Sequence, residues 1–242
     1  TSTLTVGGAS FVGTLLSPWV VAGFDMVEGG RALSSHGVMA VIAAFSIAYA
    51  LGEGTGRLAC ISFGCCYGKP VDKSPRWLRT MLLGWNFIFS GNTKKIAYAS
   101  GLDGVRVLPV QGMTAVLYIS ASLAGSYAFL KGYMVAAYLV PLLVTQMWRV
   151  LSECIRADYR GEGKWSFYQT MSIFSILYGV FVALFLPSAP HGATDIVRGL
   201  VSLWDPGLIL FLQVVWVVVF LFTGRSTVTG AMLSFHVQHE RT

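Results

Sequence analysis

Arg149, Glu153 and Arg156 stand four and three residues apart in an otherwise apolar run, a spacing that sets all three on one face of a helix. A charge inside an apolar span costs about 2.5–3.5 kcal/mol even on insertion scales, so such residues need a reason to be there. Two guanidiniums to one carboxylate leave a positive excess. Arg is shaped to grip a phosphate through two parallel hydrogen bonds, which makes anion binding the preferred reading. The plainer alternative is an ion triad that only joins helices, and buried pairs are weak sources of net stability. Arg57 gives a second cation. It lies in the stretch Gly56 to Pro70, which reads as a Gly-rich apolar loop where the backbone at Gly64 and Gly68 can approach an anion. Its plainer reading is a side chain snorkelling to a membrane interface. His36, within Ser35-His36-Gly37, titrates near neutral pH and could act as a base toward a thiol or hydroxyl.

Cys60, Cys65 and Cys66 are bunched, with Cys154 apart from them. They make neither the spaced even set of a disulfide framework nor the CxxC pairs of a zinc site. They read as small buried hydrophobes, and no metal or cofactor is expected. Haem is disfavoured too, because His191, His236 and His239 all fall outside the apolar segments.

The elements that must hold these residues are membrane helices. Of 242 residues, 55% are hydrophobic and 12% charged, against roughly 25% charged in soluble domains. So little charge cannot cover a water-facing surface. The net charge of +6 is spread between long apolar runs and forms no single stripe, which points to anionic lipid and away from nucleic acid. A span needs about 20 mostly apolar residues. Pro109 to Leu130, Tyr133 to Ser152, Phe167 to Leu186 and Gly207 to Gly224 meet this; Phe11 to Val27 and His36 to Gly52 are weaker. The expected fold is therefore all-α: a single polytopic membrane domain over residues 1–242 with about six transmembrane helices. An extramembrane lobe is expected at about residues 69–108, since that stretch is too long for an idle connection. Interfacial helices are expected from Trp77 to Phe89 and from Ala193 to Trp204.

Taken in order, these motifs resemble the prolipoprotein diacylglyceryl transferase family. Its pattern is a His-Gly motif, a Gly-Arg signature of the form GRxxxFxxGxxxG, Pro-x-Gln, Arg-x3-Glu-x2-Arg, and a Gln opening the next span. This chain offers Ser35-His36-Gly37, Gly56-Arg57 through Gly64 and Gly68, Pro109-Val-Gln111, Arg149/Glu153/Arg156, and Gln169. The match covers about residues 30 to 186, in the family's Gly-Cys-Cys-Tyr-Gly variant. The chain has Cys60 and Cys65 where the best-known members have Asn and Glu. Its His36-to-Arg57 spacing is shorter than theirs by about twenty residues, and it adds a span after Leu186.

The resemblance implies a bacterial multi-pass enzyme of the cytoplasmic membrane. Such an enzyme moves the diacylglyceryl group of phosphatidylglycerol to a lipobox cysteine thiol in a preprolipoprotein signal peptide. His36, Arg57 and Arg149 would be catalytic, with His36 as base and the arginines on the lipid phosphate. Gly64, Gly68, Gln111, Glu153, Arg156 and Gln169 would bind or orient substrate. The alternative is a non-catalytic, lipid-binding subunit of a larger membrane complex, whose partners would be other membrane subunits. A transporter is less favoured, since no interrupted spans recur in corresponding halves. A count of Lys and Arg puts the lobe in the cytoplasm, whereas the family puts it outside. The family's orientation is preferred because long loops translocate largely regardless of charge.

Overall fold

The computed structural model describes residues 6–27, 37–82, 84–158, 166–186 and 196–224. The chain is an all-α, multi-pass membrane protein. Among the described residues five helices are long and apolar enough to cross a bilayer: α1 (Val6–Val27), α2 (Gly37–Phe63), α5 (Val110–Leu130), α6 (Met134–Ile155) and α7 (Phe167–Phe185). The sixth expected span falls on α9 (Pro206–Gly224), whose apolar stretch Pro206–Leu221 is shorter. Two compact units are present, one over Gly7–Thr194 and a second that holds α8 (Ile196–Ser202) and α9.

In the first unit α2, α5 and α6 pack against one another, and α7 packs on α6. The reason is written in small residues. In lipid there is no hydrophobic drive between helices, so close backbone approach and interhelical hydrogen bonds must supply the attraction. The buried face of α2 includes Ala40, Ala43, Ser46, Ala50 and Gly54, and that of α5 includes Thr114, Ala115, Ala121, Ser122 and Gly125. Ser46 Oγ donates to the Tyr138 carbonyl at 2.9 Å, Tyr118 OH to the Thr145 carbonyl at 2.8 Å, and Trp148 Nε1 to Thr114 Oγ1 at 2.7 Å. Helix α1 joins through Tyr178 OH, which donates to the Leu15 carbonyl at 2.8 Å, and through an edge-on contact of Phe11 with Phe174.

Gly125 shows how tight this packing is. A Cβ there would sit 2.6 Å from Cγ of Pro141, a rigid ring inside α6 that cannot rotate away. Alanine in place of a helical glycine gains at most about 1 kcal/mol in propensity, whereas overpacking costs about 1–3 kcal/mol. Gly125→Val is therefore expected to lower the thermal midpoint of the purified chain in detergent. A midpoint at or above that of the parent would contradict this packing.

Helix α2 differs from expectation in length. It runs 27 residues to Phe63, about 40 Å at 1.5 Å per residue, which exceeds a hydrocarbon core of about 30 Å. Gly56 and Arg57 are thus helical, and only Gly64 and Gly68 lie in the loop beyond.

After α2 the chain builds the lobe from short elements: a 3-10 turn at Val71–Lys73, α3 (Arg76–Met81), β1 (Phe87–Ile88), α4 (Lys95–Ser100) and β2 (Arg106–Val107). The interfacial helix expected from Trp77 to Phe89 is cut to α3. Leu82 caps it, Gly84 adopts φ +89°, and Phe87 and Ile88 pair antiparallel with Val107 and Arg106. Along this strand Phe87 is half-buried and Ile88 exposed, and Phe89 just past it is buried. The second expected interfacial helix is represented by α8, and residues 193–195 lie outside the described residues.

The lobe is stitched to the bundle through residues 67–70. Lys69 N–H donates to the Ile155 carbonyl at 2.9 Å, Leu108 N–H to the Lys69 carbonyl at 3.0 Å, and Ala157 N–H to the Tyr67 carbonyl at 3.1 Å. This strip sits between the chain after α6 and the chain before α5. Gly68 is where it is tightest: a Cβ there would lie 2.5 Å from the Leu108 carbonyl oxygen.

Candidate functional site

Tyr49, Glu53 and Arg57 follow one another at four-residue intervals on α2, so they share a face. Arg149 on α6 reaches across to that face. Its Nη2 lies 2.7 Å from Glu53 Oε2 and donates to Tyr49 OH at 2.5 Å, and its Nη1 donates to Ser10 Oγ of α1 at 3.1 Å. Arg57 Nη2 pairs with the other carboxylate oxygen, Glu53 Oε1, and Tyr49 OH donates to Glu53 Oε2. Three helices thus converge on one carboxylate that is only 6% exposed, between guanidinium side chains 19% and 12% exposed.

Two features of this centre remain unbalanced. Two cations meet one anion, leaving one surplus positive charge among these three groups. Arg57 Nε is also buried with no hydrogen-bond acceptor, although buried polar groups as a rule are satisfied. Beside the centre is a pocket of about 330 Å³ lined by residues of α1, α2 and α6, among them Ser10, Thr14, Phe45, Tyr49 and Leu142. Ser10 and Tyr49 both line the pocket and accept hydrogen bonds from Arg149.

Arg57 and Arg149, expected as catalytic, are therefore brought together, but by Glu53 and not by Glu153. Of the expected face, Arg149 and Glu153 stand one turn apart within α6, but Arg156 falls just past the helix end. Arg156 is the C-cap of α6, with extended backbone at φ −84° and ψ 154°, and forms a two-pronged pair with Asp158 at 2.8 and 2.9 Å. Burial works against the Arg156 charge, but Asp158 and the nearby Cys66 outweigh it and hold its guanidinium above its ordinary value. Glu153 is half-buried in the last turns of α6.

Of the other expected residues, Gln111 is fully buried. Its Nε2 donates to the Cys65 carbonyl at 2.8 Å while its Oε1 has no partner. Gln169 spends both ends of its amide on structure: Oε1 accepts from Ser166 N–H in a capping box, and Nε2 donates to the Val150 carbonyl at 3.2 Å. Gly64 takes φ +62°, a conformation that glycine adopts without steric cost. Gly68 packs against Leu108 and Val110. His36 lies outside the described residues, one position before α2 begins.

The cysteines are not the buried hydrophobes expected of them. Cys60, Cys65 and Cys66 are half-exposed and Cys154 is exposed, all as free thiols. Hydrogen bonds from the Cys60 and Cys65 side chains push the Cys66 thiol well below its ordinary value, and the Arg156 and Arg57 charges act in the same direction. Its neighbour Cys65 is pushed up, first by its bond with Cys60. Arg57 Nη1 donates to Cys66 Sγ at 3.4 Å.

Sequence reasoning missed Glu53, Tyr49 and Ser10. The signal for Glu53 was present: a lone acid four residues before Arg57 within a weakly polar run, in the Glu-before-Arg order that favours an i, i+4 pair. Ending the second span at Gly52 hid it. Among known proteins the chain matches no family model, no curated protein and no solved structure. The five spanning helices and the buried ionic centre define its class as a multi-pass membrane protein.

Proposed function

We propose that the protein is a lipid-to-thiol transferase of the bacterial cytoplasmic membrane, moving the diacylglyceryl group of phosphatidylglycerol, or of another anionic phospholipid, to a lipobox cysteine. The observation that carries this reading is the centre made by Arg57, Glu53 and Arg149. It holds one surplus positive charge and, at Arg57, an unsatisfied Nε–H, and the two hydroxyls that accept from Arg149, Ser10 and Tyr49, line a pocket whose other side chains are largely apolar. A surplus charge in a low-dielectric site favours an anion there. Apolar walls suit an acyl chain.

In this reading Arg149 and Arg57 hold the lipid phosphate and stabilise the charge that grows on it as the carbon–oxygen bond breaks. Glu53, held by Tyr49, fixes the two guanidiniums in place. His36 serves as base for the incoming thiol. The order of motifs along the chain, from Ser35-His36-Gly37 to Gln169, supports the same assignment.

The test is complementation. The full chain is expressed in bacterial cells depleted of their own diacylglyceryl transferase, with a reporter prepropeptide carrying a lipobox cysteine. Mass spectrometry should find the thioether-linked diacylglyceryl group on the reporter. An unmodified reporter, with the chain recovered in a stable complex with other membrane proteins, would support the non-catalytic subunit instead.

A further inference from the structure

The thiols of Cys60, Cys65 and Cys66 are gathered by a helix ending. Gly64, in the left-handed conformation, closes α2 with two bonds: its own N–H to the Ile61 carbonyl at 3.3 Å, and the Cys65 N–H to the Cys60 carbonyl at 3.1 Å. This is the Schellman arrangement, in which the second residue past the helix folds back over its last full turn. That contact is commonly apolar; here it sets Cys65 over Cys60. Cys66 then takes φ +56°, unusual for a residue with a side chain. The three sulfurs end within 4.8 Å of one another.

We infer that Cys60, Cys65 and Cys66 form a three-thiolate site for a thiophilic d10 cation, Zn²⁺ or Cu⁺. At a metal–sulfur distance of about 2.3 Å, three ligands of one ion stand roughly 4 Å apart, which the cluster reaches with little movement. Soft thiolate sets select these two ions over harder cations. The surroundings suit such a site. Cys66 Sγ accepts from the Arg57 guanidinium at 3.4 Å. The Gln111 amide grips the Cys65 carbonyl at 2.8 Å and so fixes the loop from behind, as supporting groups do around metal ligands.

Three thiolates this close repel one another, and the neighbouring guanidiniums are already shared with Glu53 and Asp158. A cation at the centre is what lets all three ionise. On binding, three metal–sulfur bonds form, the remaining thiol protons pass to solvent, and nothing is oxidised or reduced. Among the described residues no fourth His, Cys, Asp or Glu joins the group. Trigonal Cu⁺ needs none, and Zn²⁺ would take water or an added thiol in its fourth position. The inference does not depend on the lipid-transfer reading.

The full chain, purified in detergent and reduced without air, is treated with a thiol-alkylating reagent alone, with one equivalent of Zn²⁺, or with one equivalent of Cu⁺. Peptide mapping then reads which cysteines are modified. The metal should protect Cys60, Cys65 and Cys66 together while exposed Cys154 reacts in every arm. Protection by either ion alone or by both supports the site. Equal modification of all four cysteines with and without each ion overturns it. Titration against a competing chelator gives a second readout. Cys60→Ser, Cys65→Ser and Cys66→Ser should each weaken binding beyond the roughly 10–100-fold that loss of a mere supporting group costs, with Cys154→Ser unchanged. Unchanged affinity in all three would also overturn it.

Discussion

Arg149→Ala should lower transfer to a lipobox reporter by roughly 100- to 1,000-fold, the usual effect of removing one preorganised donor to developing charge, while the helix bundle stays assembled. The second half of this expectation follows from charge arithmetic. Glu53 is shared by Arg149 and Arg57, so deleting Arg149 leaves Glu53 and Arg57 as a neutral, hydrogen-bonded pair on one helix. The site then loses the surplus positive charge that draws in a phosphate, together with the donors to Tyr49 and Ser10. Arg149→Lys keeps the charge but not the forked geometry, since an ammonium cannot meet Glu53, Tyr49 and Ser10 through a planar fork. It should recover part of the activity only. Lipidation by the alanine variant at the parent's rate, measured in cells depleted of their own enzyme, would remove Arg149 from the mechanism.

Glu53→Gln should do the opposite to the balance between stability and charge. It raises the centre from one surplus positive charge to two and leaves two buried guanidiniums without a counter-ion. Breaking a buried pair from one side costs about 3–5 kcal/mol, which for a chain of this size means a fall in thermal midpoint on the order of 10 °C. A protein with Arg149→Ala alone should melt closer to the parent. The double variant Glu53→Gln, Arg149→Ala removes one charge of each sign and should melt above Glu53→Gln alone. The coupling expected between residues in direct contact is about 0.5–3 kcal/mol. Additive effects in detergent-solubilised protein would show that the two side chains do not meet as described.

The membrane class was legible because composition is decisive at this charge content, and each of the five spanning helices overlaps one of the apolar runs, with α2 alone running well past its end. What was not legible came from two places. The first is helix length: Gly52, Gly54 and Gly56 look like the start of a loop, yet all three are helical, and Gly54 packs so closely that a Cβ there would lie 3.0 Å from Tyr118 Cβ. Tertiary contact overrode local propensity, and that override carried Glu53 and Arg57 into the helix. The second is pairing across helices, which sequence spacing cannot supply. Arg149 has an acid four residues along its own helix, but the carboxylate it holds is Glu53, 96 positions away. The cysteine cluster depended in the same way on a helix ending and a left-handed Cys66, neither visible in a list of residue types.

Helix α2 is longer than the oily slab it crosses. Tyr49, Glu53, Arg57 and Cys60 sit on it as rungs, about 16 Å from first to last at 1.5 Å per residue. Because the rungs share one continuous helix, their depths are fixed relative to one another, and a mismatch is met by tilt of the whole rod or by thinning and thickening of the lipid around it. Hydrophobic mismatch is then a control on the ionic centre: thicker membranes submerge Glu53 and its two arginines further, thinner ones lift them toward water, at a cost of fractions of a kcal/mol per ångström.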